Sequence, residues 1–366
     1  MNTLGLYLHI PFCLKKCSYC DFYSISDTSV MDDYVNSLIE SIDFYKDKSK
    51  TVDTIYFGGG TPSLLNPQHI EKILNSVENS FKIVSCETTI ETNPCTASEN
   101  YLKDIFNLGV NRLSIGVQSL NDFELKALGR LHDSLGAIQT IMLAQKVGFS
   151  NISADLMMGI PNQTQKSLFD SIDGLNKLDV THISSYMLKI EEGTPFFKNR
   201  SSLSLPNDDE VANFYLSAVE KLESLGFEQY EISNFAKKGF ESRHNLKYWL
   251  LDDYIGLGPA AHSFYNGKRF YFERDISKFI KMANEKNFTP NFESEVDLKQ
   301  EYIMLSLRLT KGLSLKRALE LGIDVDLILR KAQKFIDMSF MKLDGDRLYF
   351  TKEGFLVSNT ILSSIF

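Results

Sequence analysis

The sequence predicts an α/β fold, a sheet of six parallel strands with helical returns curled into a partial (β/α)6 barrel, followed by a small C-terminal α+β module of winged-helix-like type. Three observations predict it. β-rich runs and amphipathic helical runs alternate six times between Leu4 and Met187, and such alternation sets strands in parallel, joined by right-handed crossovers. Residues able to do chemistry fall at or just past the ends of those strands, where α/β folds gather their sites. Beyond about Pro290 the alternation stops, and three helical runs and a hairpin remain.

The first element, Leu4 to Ile10, suits a short buried strand that ends at Pro11 and delivers a loop holding Cys13, Cys17 and Cys20. Met31, Tyr34, Val35, Leu38, Ile39, Ile42 and Tyr45 recur at three- and four-residue steps, which gives a helix with one apolar face. Val52 to Phe57 is the second strand, stopping at Gly58-Gly59-Gly60-Thr61-Pro62. Asn66-Pro67 then has the form of an N-cap with proline at the first helical position. Strands Cys86 to Glu91, Arg112 to Val117, Ile152 to Met157 and His182 to Met187 follow, separated by helices that close near Gly109, Gly148 and Leu178. After Pro206 come a long helix, Asp208 to Leu225, and a strand, Phe227 to Phe235. Helices Val296 to Leu309, Leu315 to Leu321 and Val325 to Ile336 precede a hairpin turning at Asp344-Gly345-Asp346. Three segments result: a barrel core over 1–205, an extension over 206–289, and a C-terminal module over 290–366.

Bulk properties narrow the class. Hydrophobic content of 43% with a mean hydropathy of -0.15 belongs to a globular chain, and no apolar run approaches the roughly 18 residues of a membrane span. The first residues carry no secretory leader pattern, so the expected compartment is the cytoplasm. A net charge of -8 argues against nucleic acid as a partner. Five cysteines, three of them clustered, argue against a disulfide framework and for a reducing environment.

The cluster is the stretch Tyr7-Leu-His-Ile-Pro-Phe-Cys13-Leu-Lys-Lys-Cys17-Ser-Tyr19-Cys20. Three thiolates on one loop can serve one metal centre, and a loop that gives a cubane only three thiolates leaves one iron open. By spacing alone, a zinc site lacking its fourth ligand fits as well. The glycine run brings backbone close to whatever lies beside it, and a tight strand-to-helix turn explains it about as well as a ligand does.

C-x3-C-x-aromatic-C within this Tyr-x-His-Ile-Pro-Phe-Cys context resembles the radical S-adenosylmethionine (SAM) family, in the branch of the oxygen-independent coproporphyrinogen III oxidases and the HemW-type heme chaperones. The resemblance implies a 4Fe-4S cluster on Cys13, Cys17 and Cys20, with SAM at the open iron and open to reductive cleavage. By position it implies SAM contacts from Tyr7, Gly59, Gly60, Thr61, Glu91, Gln118, Arg130 and Asp155. It is dense from Tyr7 to Pro161 and looser beyond.

Two places choose within the family. Oxidases of this branch carry a fourth cysteine two residues after the third and a longer N-terminal extension; here Phe22 stands at that position and six residues precede Tyr7. Arg243-His244-Asn245-Leu246-Lys247-Tyr248-Trp249 contains the H-N-x-x-Y-W motif of the heme chaperones. The resemblance therefore implies heme at His244, Tyr248 and Trp249, with recipient hemoproteins, membrane-associated respiratory enzymes among them, as partners. An imidazole suits heme iron, and the two aromatics offer flat surface to a porphyrin. His9, His69, His132, His182 and His262 are read as structural. A homodimer stays open, since no stretch commits an interface.

Overall fold

The computed structural model describes residues 3–293 and 296–366. Its main sheet opens with six strands that lie side by side in sequence order and in parallel: β1 (Leu4–Ile10), β2 (Thr51–Gly59), β3 (Lys82–Thr92), β4 (Arg112–Gln118), β5 (Ile152–Met158) and β6 (His182–Met187). This is the expected (β/α)6 half of the fold. The returning helices start where their caps predict: the side chains of Asn66, Ser98, Asp133 and Thr164 each accept a hydrogen bond from a backbone N–H of the first turn, worth about 1 kcal/mol apiece.

The strands are apolar on one face and polar on the other. In β1, Leu4, Leu6, Leu8 and Ile10 are buried and belong to the core that also takes in Val35, Leu38 and Ile42 of the first helix. Tyr7 and His9 alternate with them onto the inner face. Register aligns Tyr7 with Tyr56, Thr89 with Arg112, Glu91 with Ser114, and Asp155 with Ser184. The interior is thus walled by tyrosine, serine, threonine and charge, where a packed barrel would be filled with branched aliphatics.

After β6 in the chain, six short strands join the sheet where the sequence predicts one. β7 (Glu228–Gln229) and β8 (Asn234–Ala236) replace the single strand expected over Phe227 to Phe235; the chain turns back between them, Tyr230 N donating to Asn234 O, and β8 runs antiparallel to β6. β9 (Tyr254–Leu257) lies parallel to β1 on its free edge, followed by antiparallel β10 (His262–Tyr265), β11 (Lys268–Tyr271) and β12 (Asn291–Phe292), so that twelve strands form one sheet. These strands are at most four residues long and broken by Gly258, Pro259 and Gly267, too short for a period-two pattern to stand out.

The C-terminal module has the expected helices, Leu298–Ser306, Leu315–Glu320 and Val325–Asp337, and the expected hairpin, β14 (Met341–Asp344) with β15 (Arg347–Phe350). A two-residue strand, β13 (Leu313–Ser314), adds to the other edge of β15, and the helices Lys352–Leu356 and Ser358–Ile365 complete the chain. The module is tied to the barrel by Ile232 N donating to Arg308 O and by the Lys352–Glu223 ion pair at 2.5 Å.

Candidate functional site

The cysteine loop is held by backbone bonds before any side chain is considered. Cys13 N donates to Ile25 O, Ile25 N to Pro11 O, Ser18 N to Leu128 O, and Phe196 N to Ser18 O. All three thiols are half-buried. Arg130 Nη1 lies 3.4 Å from Cys17 Sγ while its Nη2 donates to Gly116 O at 2.7 Å, and Thr61 Oγ1 lies 3.4 Å from Cys13 Sγ. Cysteine sulfurs set beside a guanidinium and a hydroxyl suit an iron-sulfur cluster, whose charge such donors would offset. Among the described residues no three His, Cys, Asp or Glu side chains converge on a single ion; the ligands of a cubane sit on different irons and need no such point.

The glycines have structural reasons of their own. A Cβ on Gly60 would stand 2.6 Å from Phe12 O and 2.8 Å from Ile10 O, and one on Gly59, at φ +110°, would meet the His9 ring at 2.6 Å. The run lets β2 lie directly against the root of the cysteine loop. His9 is pinned in turn. Its Nε2 donates to Tyr23 O at 3.0 Å, so its Nδ1 accepts from Tyr7 Oη at 3.1 Å, and burial lowers its pKa to about 4, which keeps the ring neutral.

Glu91 ends its strand inside the barrel, accepting from Tyr56 Oη and Gly59 N, both at 3.0 Å. Burial, then the nearby Asp155, pushes its carboxyl up to about 7. Asp155, which accepts from Ser114 Oγ at 3.3 Å, is raised by burial to about 6. Neither carboxylate has a cationic side chain within ion-pair distance among the described residues. Two desolvated acids with no cation in direct contact, although the Arg112 charge acts on both, fit a cationic ligand such as the ammonium of SAM. Gln118 is buried and takes a left-handed backbone, φ +66°, at the strand end.

The H-N-x-x-Y-W motif lies at the other end of the barrel. It forms the helix Arg243–Leu250, whose first N–H groups donate to the Glu87 carboxylate and whose Arg243 and Lys247 pair with Asp53. His244 is completely buried. Its Nδ1 is bonded to Thr54 Oγ1 at 2.8 Å and its Nε2 to Tyr248 Oη at 2.9 Å, and burial drives its pKa down to about 3. As placed, neither nitrogen is open to an iron. Trp249 is half-buried beside it.

Tyr56, the wholly buried Arg112 and an aromatic cavity of about 480 Å³ beside the cysteine loop belong to no motif of the sequence. Phe22, Tyr23, Tyr248, Tyr254 and Tyr271 contribute to its wall. Those residues come from four separate segments, which no local motif connects.

The radical SAM superfamily matches residues 7–174 and the HemN C-terminal domain residues 295–357. The chain is 36% identical to the heme chaperone HemW of Bacillus subtilis over 371 residues, covering 98% of each chain. It is 33% identical to that of Escherichia coli, over 99% of this chain and 98% of the relative. Its fold matches a solved structure of the Escherichia coli coproporphyrinogen III oxidase HemN with a TM-score of 0.85 over 100% of this chain and 90% of the other, at 20% identity. The barrel, the cysteine loop and a full-length likeness shared by both domains place this chain in the HemW family of radical SAM proteins.

Proposed function

We propose that this protein is a heme chaperone, which binds heme beside a SAM-type barrel and passes it to recipient hemoproteins, respiratory enzymes among them, in the cytoplasm. The observation that carries the reading is the likeness, over nearly the whole chain, to relatives named for that role. No helix among the described residues is long and apolar enough to cross a membrane.

In this reading Cys13, Cys17 and Cys20 hold a 4Fe-4S cluster, and SAM lies across Tyr7, Gly59, Gly60, Thr61, Glu91, Gln118, Arg130 and Asp155. A bound cluster with an open iron supplies the electron that can cleave SAM. The chain's own part is to bind and orient. Glu91 and Asp155 offer negative charge to a cationic group, Arg130 and Thr61 face the sulfurs, and the Tyr7–His9–Tyr23 hydrogen bonds fix the loop against β1. Tyr248 gives a face to the aromatic cavity, while His244 holds its hydroxyl. The work divides among 1–205 for cluster and SAM, 206–289 for heme, and 290–366 for docking.

Anaerobically reconstituted protein, divided between a hemin titration and an incubation with SAM, reductant and coproporphyrinogen III, tests this directly. Stoichiometric heme binding without protoporphyrinogen IX is expected. Robust decarboxylation would make it an oxidase in spite of Phe22.

A further inference from the structure

We propose that heme lies in the aromatic cavity beside the cysteine loop with its iron bound by Nε2 of His262; this rests on the heme-binding reading above. Three histidines adjoin the cavity or its walls, and their hydrogen bonds separate them. His9 spends both nitrogens on Tyr7 and Tyr23, and His244 spends both on Thr54 and Tyr248. His262, at the start of β10, differs. Its side chain is 59% exposed and lines the cavity. Its Nδ1 is bonded to Glu293 Oε1 at 3.0 Å, and its Nε2 makes no hydrogen bond to any described residue.

That is the arrangement metal-binding histidines use. A carboxylate accepting from Nδ1–H fixes the tautomer, raises the basicity of the ring and leaves the Nε2 lone pair pointing outward. The ring is further braced by Tyr271, stacked at 5.2 Å between centroids and 20° between planes.

The rest of the cavity matches a porphyrin's chemistry. Its 480 Å³ falls within the range of about 300–1,000 Å³ of small-molecule sites. Phe22, 70% exposed at the position of the oxidase's fourth cysteine, offers an apolar face. Arg274, half-exposed at the wall and held among the described residues only by Asp21, supplies a guanidinium for a propionate, a pairing that suits its planar fork. Flat apolar surface, one open imidazole and one cation fit an iron porphyrin with acidic side chains.

The test compares full-length wild type, His262→Ala, Glu293→Gln and His244→Ala with two probes, hemin and iron-free protoporphyrin IX. His262 is exposed, so its loss leaves the core intact; circular dichroism checks this. Hemin affinity is expected to fall at least about tenfold in His262→Ala and about tenfold in Glu293→Gln. The histidine-ligated Soret and electron paramagnetic resonance signals should disappear in His262→Ala and return with added imidazole, while protoporphyrin IX binds as to wild type. A His262→Ala spectrum and affinity equal to wild type would overturn the assignment, as would equal losses for both probes, or loss of the signals in His244→Ala alone. No hemin binding by wild type at all would overturn the heme reading and this inference together.

Discussion

The imidazole of His244 is stacked on the phenol of Tyr56, ring centroids 5.2 Å apart and planes 26° from parallel. Tyr56 in turn donates to Glu91. The motif helix at the lower end of the barrel is thereby joined, through one tyrosine, to the carboxylate at its upper rim.

Removing the His244 ring should therefore cost stability first. His244→Ala leaves the buried hydroxyls of Thr54 and Tyr248 without their partner and is expected to destabilise the protein by about 2–4 kcal/mol, read as a lower denaturation midpoint. An unchanged midpoint would show that the ring bears no structural load. Because the folded-state pKa is depressed to about 3 from 6.5, the wild type should lose stability as pH falls from about 6.5 towards 3, and the variant should lose less.

The sign reverses for Glu91. Its folded-state pKa is raised from 4.5 to about 7, so the folded protein without SAM holds the proton more tightly than the unfolded chain. The contribution of this group to stability should be greatest below about 4.5 and decline as pH rises to about 7, by up to about 3 kcal/mol, opposite in sign to that of His244. Glu91→Gln should flatten that decline. SAM affinity should rise with pH over the same window, as the carboxylate ionises; a pH-independent affinity would remove Glu91 from the site.

Cys17→Ala should abolish the broad visible absorbance of anaerobically reconstituted protein. Iron and sulfide contents equal to wild type would contradict the ligand assignment.

Gly60→Ala drives a methyl group against two backbone carbonyls, Phe12 O and Ile10 O, which cannot rotate away. Expected are a loss of about 1–3 kcal/mol and poorer cluster retention, since the displaced backbone is the root of the cysteine loop. A reconstitution yield matching wild type would show that the loop absorbs the shift.

The fold was legible where elements are long. The six parallel strands and the caps at Asn66 and Ser98 stood out because strands of six to eleven residues and well-capped helices repeat the same signal. β9 to β12 did not, for their lengths of two to four residues give no period. Within the site, the cysteine spacing and the strand-end acids could be read directly. What Gly60 clears room for could not, because its neighbours Ile10 and Phe12 lie some fifty residues away in sequence. His244 and His262 show the same limit: which histidine has a free nitrogen depends on Thr54, Tyr248 and Glu293, and only folding brings those to them.

The pairing of β1 with β9 also bears on when the protein can be assembled. β1 is made first, yet one of its edges waits for Tyr254 to emerge from the ribosome, about 250 residues after Gly5. Until then a nascent chain presents an unpaired edge strand next to its three cysteines, a template for wrong partners. Contacts so distant in sequence form slowly. The cysteine loop thus acquires its final mounting only once most of the polypeptide exists.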